Sequence, residues 1–304
     1  MRHLQLTLGF GAMLLLSGCN SFPWSRGTTP PPQAAQAPTA APSKESIIAY
    51  LNDNAQRVQS VRCKEVDVIA KQGMQSVGLR ANMVCSKPRG FRLLVNVAGK
   101  SEADIGSNDQ EFWFWIARDE SKRLYHCSYD DLGKRPVPMP FPFQPEWITE
   151  AMGIAPCGPP EKYELVVKGA TLELVEQGVS TQGQPVRKVT VIQRAPAHGT
   201  QPQVTAHLLQ DAQGKEIVSA LISEVQIDRT TGAIIPRKVR LVCPAEKMEM
   251  QLKLDEVVVN DPAVVAAAPR LFARPQITNV TLFDLARGPD PATGVQPIGH
   301  QRFQ

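Results

Sequence analysis

Residues 88–117, which read PRGFRLLVNVAGKSEADIGSNDQEFWFWIA, decide the fold predicted for this chain. Good turn residues at Gly99-Lys100 and Asn108-Asp109 divide the stretch into three short strands. Successive side chains of a strand point to opposite faces. One face therefore carries the rows Phe91, Leu93, Val95 and Val97 in the first strand and Phe112, Phe114 and Ile116 in the third. Because the third strand is apolar on both faces, we expect the sheet to be covered on both sides or to enclose something apolar.

The same period of two extends along the chain on both sides of this stretch. Strands are predicted at 62–71, 77–86, 122–129, 162–168, 171–176, 185–193, 204–209, 216–228, 233–242 and 246–259, with a last one near 278–283. Turns that contain glycine separate several of them. Strands in this number, joined by short loops, form one antiparallel sheet that is strongly curved or closed on itself. We therefore predict an α+β fold that is mostly β.

Two helices accompany the predicted strands. Ser43 suits an N-cap, and the residues behind it form one apolar stripe at helical spacing, namely Ile47, Ile48, Leu51, Ala55 and Val58. A second helix is predicted over 144–152, with Pro145 in its first turn and Gly153 at its stop. The first helix is expected to pack its stripe against the sheet.

The second helix ends a segment, 136–152, that is rich in large apolar side chains. They are Met139, Phe141, Phe143, Trp147, Ile148 and Met152. Methionine and aromatic side chains make adaptable contacts with flexible apolar ligands. The same side chains would equally close a dry core, and periodicity does not separate a removable cover from a fixed one.

The amino terminus predicts a lipid anchor. Residues 1–18 have the pattern of a signal peptide, with a basic start and an apolar run from Leu4 to Leu16. The run leads into Ser17-Gly18-Cys19, which looks like a bacterial lipobox, so we expect Cys19 to be acylated; the alternative is an ordinary signal peptide with a chance cysteine. Residues 19–42, rich in proline and alanine, should form an extended tether. No later stretch approaches the ~18 apolar residues of a spanning helix.

Composition and motifs exclude several classes of function. The formal net charge of +4 is small and no block of like charge occurs, so nucleic-acid binding is not expected. G-x-S-x-G, H-E-x-x-H and P-loop motifs are missing from the sequence. Its histidines show no spacing typical of metal ligands, so we predict no metal, no cofactor and no catalytic residue. The chain is predicted not to be an enzyme.

Five cysteines follow Cys19, and none belongs to a C-x-x-C pair. If the first hairpin turns near Gly73-Met74, Cys63 and Cys85 would lie opposite each other, where a disulfide could form. Cys127 and Cys157 are the next candidates for a pair. Alternatively, all of these cysteines are small buried apolar residues.

The stretch from Leu51 to Ile116 resembles the LolA/LolB lipoprotein-carrier superfamily. The motifs that carry the resemblance are Arg57-Val58-x-Ser60-Val61, then Lys87-Pro88-x-x-Phe91-Arg92, then Asp104-Ile105-x-Ser107-Asn108-Asp109-x-x-Phe112-Trp113. The segments 225–228, 235–237 and 272–275 look like the closing strands of that family. The resemblance covers most of 43–283, which we take as one domain, and its specific motifs lie in the first seventy residues or so of this range.

The resemblance implies an unclosed antiparallel half-barrel with a helical lid, which binds acyl chains or lipoproteins. The family's arginine before the proline helps to latch the lid, and Lys87 occupies that position here. Lysine keeps the charge but lacks the planar fork of the guanidinium group. The implied walls of the acyl-chain cavity are the sheet residues Phe91, Leu93, Val95, Phe112, Phe114 and Ile116 and the lid residues Met139, Phe141, Phe143, Trp147, Ile148 and Met152.

Together these features predict a cell-envelope lipoprotein that binds acyl chains and serves lipoprotein or lipid sorting. The alternative is a tethered regulatory or scaffolding module that binds another envelope protein. Asn20 follows the anchor position where many inner-membrane lipoproteins carry Asp, which favours the outer membrane. We expect a monomer, with a disordered tail at 284–304.

Overall fold

The computed structural model describes residues 41–287 apart from 133, 135, 136, 138–145 and 181. The strands are β1 (Ser60–Gln72), β2 (Gln75–Ser86), β3 (Gly90–Val97), β4 (Lys100–Ser107), β5 (Glu111–Ile116), β6 (Arg123–Ser128), β7 (Tyr163–Lys168), β8 (Thr171–Val179), β9 (Pro185–Gln193), β10 (Val204–Asp211), β11 (Glu216–Ile227), β12 (Ile234–Cys243), β13 (Met248–Val259) and β14 (Thr281–Asp284). The helices are α1 (Lys44–Gln56), α2 (Tyr129–Leu132), α3 (Glu146–Ala151) and α4 (Pro262–Leu271), with a 3-10 turn at Pro160–Lys162. The predicted signal peptide, Cys19 and most of the predicted tether and tail lie outside the described residues.

All of these strands belong to one curved, unclosed sheet, which confirms the predicted mostly β fold and half-barrel. Their order is β14-β6-β5-β4-β3-β2-β1-β13-β12-β11-β10-β9-β8-β7. The sheet is thus two antiparallel meanders, β1 to β6 and β7 to β13, joined where β1 pairs with β13. Residue pairs from Val61↔Val259 to Gln72↔Met248 make that seam.

One strand pair departs from the expected antiparallel arrangement. β14 runs parallel to β6, with Thr281 opposite Arg123 and Asp284 opposite His126. The sequence placed a strand near 278–283, but its direction depends on the path of the preceding chain over the sheet. No local pattern specifies that path.

The chain between β6 and β7 connects nearly opposite ends of the strand order, so it must cross the sheet. It carries α2 and α3, and α3 packs on the face that bears Val186, Val218 and Val239. We call this the inner face. The predicted lid helix, α3, is therefore part of the crossover connection. The chain continues from it to a strand of the sheet on either side, to β6 before it and to β7 after it.

Helix α1 also lies on the inner face, as its apolar stripe predicted. The side chain of Ser43 accepts a hydrogen bond from the Ser46 backbone N–H, which confirms the predicted N-cap. Ile47 and Ile48 pack against three residues of β8 and β9, namely Leu172, Leu174 and Ile192. The helix thus covers the end of the sheet near β7.

Helix α4 covers the opposite, outer face and was not predicted from the sequence. Asp261 caps it, with its side chain accepting from the Ala263 N–H, and Pro262 occupies the first turn. Val264 and Phe272 pack on Val84 of β2. The Asp261 cap and the first-turn proline are the sequence signals that identify this helix.

The outer face of β3 to β5 buries a polar cluster beneath the end of α4. Arg92 pairs with Asp104, whose Oδ2 lies 2.7 Å from Nη2, and Arg92 also donates to the Leu271 carbonyl. The indole of Trp113 donates to Asp104 and is 1% exposed. The outer face of the apolar strand β5 is therefore covered at Trp113, as expected from the sequence.

Candidate functional site

A cavity of about 370 Å³ lies on the inner face beneath the crossover connection. Its floor is formed by β8 to β12, its cover by residues 147–158, and one wall by α1. The volume is within the ~300–1,000 Å³ range of small-molecule sites, near the lower end. The structure therefore keeps open space where the predicted lid meets the sheet.

The cavity lining divides into apolar and polar side chains. The apolar ones include Leu51, Trp147, Ala151, Met152, Leu174, Ile222, Val225 and Ile234. The polar ones include Glu150, Cys157, Tyr163, Glu176, Lys188, Thr190 and His207. A mixed lining of this kind suits an amphiphilic ligand better than a purely hydrocarbon one, because a buried polar wall needs polar partners.

An ion pair connects the cover to the floor. Lys188 Nζ of β9 lies 2.7 Å from Glu150 Oε1 and 3.1 Å from Oε2 of α3. Lys188 is directly opposite Glu176 of β8 and Leu209 of β10. Each charged side chain of the pair is about one-third exposed, so the pair contributes less than about 1 kcal/mol to stability.

Asn54 of α1 fixes the end of the cover. Its side-chain Nδ2 donates to the carbonyls of Gly153 (3.2 Å) and Ile234 (3.0 Å), and its Oδ1 accepts from the Ile234 N–H at 2.7 Å. Gly153 has a φ of +69°, and its conformation ends α3 and turns the chain toward α1. One side chain thus joins α1, the cover and β12.

Cys157 and Tyr163 lie at one side of the cavity. The Tyr163 hydroxyl accepts a hydrogen bond from the Gly158 N–H at 2.9 Å. Burial raises the pKa of the Cys157 thiol to about 11 and that of Tyr163 to about 12. A thiol that stays protonated near neutral pH is a poor nucleophile, so this cavity residue is unsuited to covalent catalysis.

His207 of β10 contributes a neutral imidazole to the cavity floor. Its Nδ1 lies 3.3 Å from Thr190 Oγ1 of the neighbouring strand. Burial away from bulk water lowers the pKa of His207 to about 4. The ring is therefore uncharged at neutral pH and offers a hydrogen bond without a charge.

The structure separates the residues predicted to form the cavity walls. Trp147 and Met152 line the cavity. Ile148 packs instead with Phe91, Leu93 and Val95 in a cluster centred on β1 to β3. Met139, Phe141 and Phe143 lie outside the described residues.

The aromatic residues of β5 occupy a different cluster. Phe112 and Phe114 pack with Val137 and with Leu285, which follows β14. Phe114 also stacks on Tyr125, with ring centroids 4.7 Å apart. Ile116 is half-buried opposite Ala103. This part of the inner face is thus filled by the chain's own side chains.

Lys87, the latch candidate, contacts α1. Its ammonium donates to the carbonyl of Ala55 in the last turn of that helix. Burial lowers the pKa of Lys87. A cation near the carboxyl end of a helix also interacts favourably with the helix dipole. Lys87 therefore holds the helix that forms a wall of the cavity, while Glu150 and Lys188 hold α3.

The described cysteines are free thiols, so the disulfide between Cys63 and Cys85 is not formed in this structure. The strand register explains why these two residues do not face each other. Cys63 is opposite Met83, and Cys85 is opposite Val61. The register that starts at Gln72↔Gln75 would place Cys63 opposite Val84, and the bulge in β1 after Cys63 moves its partner to Met83. Cys127 and Cys157, the next candidates for a pair, pack in different clusters.

Several cavity residues were missed by sequence reasoning. Glu150, Glu176 and Lys188 were not singled out, although Lys188 interrupts the apolar inner-face row of β9 between Val186 and Ile192. A charged residue at an inward position of an alternating strand is the signal that could have found it. Its partner Glu150 lies on α3, and the crossover connection determines the position of that helix. The local sequence around Lys188 therefore does not predict this pair.

Within 41–287, leaving aside the positions not described, no group of His, Cys, Asp and Glu is arranged to hold a metal ion. In the same part of the chain no helix combines the length and the apolar character needed to cross a membrane.

Among known proteins, this chain is similar to several solved structures. No family model and no curated protein matches the chain. It is similar to a proposed outer membrane lipoprotein-sorting protein domain from Vibrio parahaemolyticus, with 11% identity over 76% of this chain and 100% of that one and a TM-score of 0.46. It is also similar to a LolA superfamily protein from Nitrosomonas europaea, with 8% identity, coverage of 75% and 97% and a TM-score of 0.45.

A third similar structure is a DUF1329 family protein from Desulfovibrio piger, with 10% identity, coverage of 74% and 95% and a TM-score of 0.45.

Proposed function

We propose that this protein is a cell-envelope lipoprotein, anchored through Cys19, whose half-barrel binds an amphiphile with an acyl chain. The observation that carries the proposal is the 370 Å³ cavity between the sheet and its helical cover. The apolar side chains would take hydrocarbon, and burial of each methylene contributes about 0.8 kcal/mol. Glu150, Lys188 and His207 would face the polar end of the ligand.

Such binding requires no covalent step. Cys157, the cavity thiol, has a raised pKa, and His207 on the cavity floor is neutral. Neither is poised for nucleophilic or acid–base catalysis near neutral pH. We therefore assign the protein a role in holding or passing lipids or lipoproteins in the envelope, at the outer membrane, and not in modifying them.

The test compares two alanine-to-phenylalanine substitutions. Ala151 is a buried residue of α3 that lines the cavity, and Ala266 is an exposed residue of α4. Ala151→Phe should reduce binding of a fluorescent fatty-acid probe at least tenfold, whereas Ala266→Phe should not change it. Both would be made with Cys19→Ser, so that no lipid attached to the chain itself is measured.

Mass spectrometry of lipids that co-purify with the Cys19→Ser chain completes this test. A chain that carries no lipid, and that binds the probe equally with and without Ala151→Phe, contradicts the proposal.

A second function is favoured by the filled part of the inner face. Phe91, Val95, Phe112 and Phe114 are each less than 10% exposed and pack against the chain's own side chains. An interior that is largely filled suits a regulatory or scaffolding module that binds another envelope protein. Stoichiometric recovery of one protein partner together with no bound lipid would support this second function over the first.

A further inference from the structure

Strand β7 leaves one edge of the sheet open. It is the last strand in the order, and within the described residues it pairs only with β8. The pairing runs through six consecutive residue pairs without a bulge, and no proline interrupts Tyr163–Lys168. Val167 is 54% exposed. Shortening, bulges and prolines are three usual protections of sheet edges, and β7 has none of them, although it carries the charged residues Glu164 and Lys168. The opposite edge strand β14 has only four residues.

The backbone of β7 offers hydrogen-bonding groups to this open side. Tyr163 turns both of its backbone groups away from β8, since its N–H donates to the Pro160 carbonyl and its carbonyl accepts from Lys44 Nζ at 3.1 Å. Backbone orientation alternates along an antiparallel pair. The N–H and C=O groups of Leu165 and Val167 therefore also point away from β8.

We propose that β7 pairs antiparallel with β7 of a second copy of this chain, about a two-fold axis at Val166. This register places Leu165 opposite Val167 of the second copy, so that the N–H of each of these two residues donates to the carbonyl of the other. It also places Glu164 opposite Lys168 of the second copy, once on each side of the axis. A two-fold interface has this self-complementary character.

Charge complementarity selects a second copy as the occupant. Glu164 and Lys168 are both exposed and lie on the same face of β7. Lys168 Nζ also lies 2.7 Å from Glu173 of its own chain, but the Lys168 side chain is 59% exposed and can reach another carboxylate. Opposite charges directly across a strand pair stabilise it, and like charges destabilise it.

The chain's own amino-terminal segment does not suit this edge. Residues 19–42 include six prolines, three of them consecutive at 30–32. Proline has no N–H to donate to a strand ladder. Lys44 contacts β7 at Tyr163, so the end of that segment, at residue 42, lies close to the edge, but its prolines would interrupt a strand ladder.

The two-fold arrangement is compatible with anchoring of both chains to one membrane. The two Tyr163 residues would be about 20 Å apart along the paired strands, at about 3.3 Å per residue. If both tethers carry lipid, as proposed above, attachment to one surface raises the effective concentration of the partners. This point rests on the proposed anchor, whereas the strand pairing does not.

The experiment is a cysteine cross-linking assay on the full chain in intact cells. Val166 would face its own equivalent with Cα atoms about 4.5 Å apart, which a disulfide can span. Val166→Cys should therefore give a reducible dimer on mild oxidation. Val179→Cys is the matched control, since Val179 is 63% exposed and lies on the neighbouring strand β8.

Charge reversal in the Val166→Cys background identifies the partner. Glu164→Lys should slow cross-linking roughly five- to thirtyfold, because two attractive pairs become two repulsive pairs. Lys168→Glu should slow it as well, and the two reversals combined should restore most of the rate.

The proposal is overturned if Val166→Cys cross-links no faster than Val179→Cys. It is also overturned if the combined reversal is as slow as the single ones, since β7 would then pair with a strand of different charge pattern. Neither readout depends on lipid binding.

Discussion

Lys188 and Glu150 form the direct ionic link between the sheet floor and the helix that covers the cavity, with 2.7 Å between Nζ and Oε1. Because α3 is only six residues long, it has little stability of its own and depends on such contacts. The pair lies at the cavity margin and remains partly exposed. Its strength should therefore affect how readily the cover opens more than how stable the whole domain is.

Lys188→Met should accelerate exchange of a bound acyl probe while changing the free energy of unfolding by less than about 1 kcal/mol. The measurement is the dissociation rate of a fluorescent fatty acid, together with hydrogen exchange of residues 147–153. Lys238→Met is the control, because Lys238 forms a similar 2.8 Å pair with Glu224 away from the cavity. Equal probe dissociation from both variants would argue against a latch.

Asn54→Leu should destabilise the domain by roughly 1–3 kcal/mol, because backbone groups of Ile234 and Gly153 lose their partners. For a domain of this size that is a fall in Tm of several degrees, at about 2–4 °C per kcal/mol. Asn54→Asp keeps the acceptor for the Ile234 N–H and loses the donor. Its second carboxylate oxygen would also face the carbonyl oxygens of Gly153 and Ile234 with no proton between them, so the Asp variant should unfold at or below the Tm of the Leu variant. An Asp variant close to the parent in Tm would show that the two donated hydrogen bonds contribute little.

Much of this fold was predictable because strand periodicity is a local property. The β1–β2 turn at Gly73-Met74 and the meander from β3 to β5 are confirmed as predicted. The pairing of strands that lie far apart in the sequence was not predictable in the same way. The seam between β1 and β13 and the parallel direction of β14 depend on how the chain returns to the sheet.

The cavity residues show the same division between local features, which the sequence predicts, and long-range features, which it does not. Trp147 and Met152 were identified from the composition of one segment, and both line the cavity. Phe91 and Phe112 share their strand pattern with cavity residues but lie where other side chains fill the interior. Whether an inward side chain meets a neighbour or open space is decided by elements far away in sequence, so alternation alone could not locate the cavity.

Gly106→Ala should destabilise the outer face by about 1–3 kcal/mol. A Cβ at Gly106 would lie 2.4 Å from Cζ2 and 2.7 Å from Cε2 of Trp113, and 3.0 Å from the Phe91 carbonyl oxygen. The buried indole would have to move from its hydrogen bond with Asp104. The measurement is urea unfolding followed by tryptophan fluorescence.

Gly78→Ala is the matched control for this substitution, because a Cβ at Gly78 in β2 meets nothing within 4 Å. It should be neutral or stabilising by up to about 1 kcal/mol, since alanine reduces the entropy of the unfolded chain. Similar losses from both substitutions would show that the glycine backbone, and not the indole, sets the requirement.

His207 should make the stability of the domain depend on pH in the acid range. Its pKa is about 4 in the folded protein, against about 6.5 when unfolded. Between these values the unfolded chain binds a proton that the folded chain does not, so stability falls as the pH is lowered from about 6.5 to 4. The loss is at most about 3.5 kcal/mol, at about 1.4 kcal/mol per pKa unit.

His207→Gln should remove most of this loss, while titration of the carboxylates remains common to both proteins. The measurement is the free energy of unfolding in urea at pH 7 and pH 4.5, and the quantity compared is the difference between the two. His198→Gln, at an exposed loop position, is the control for loss of a histidine outside the cavity. If His207→Gln keeps the full pH dependence of the parent, burial of a neutral imidazole beneath the cover is not its cause.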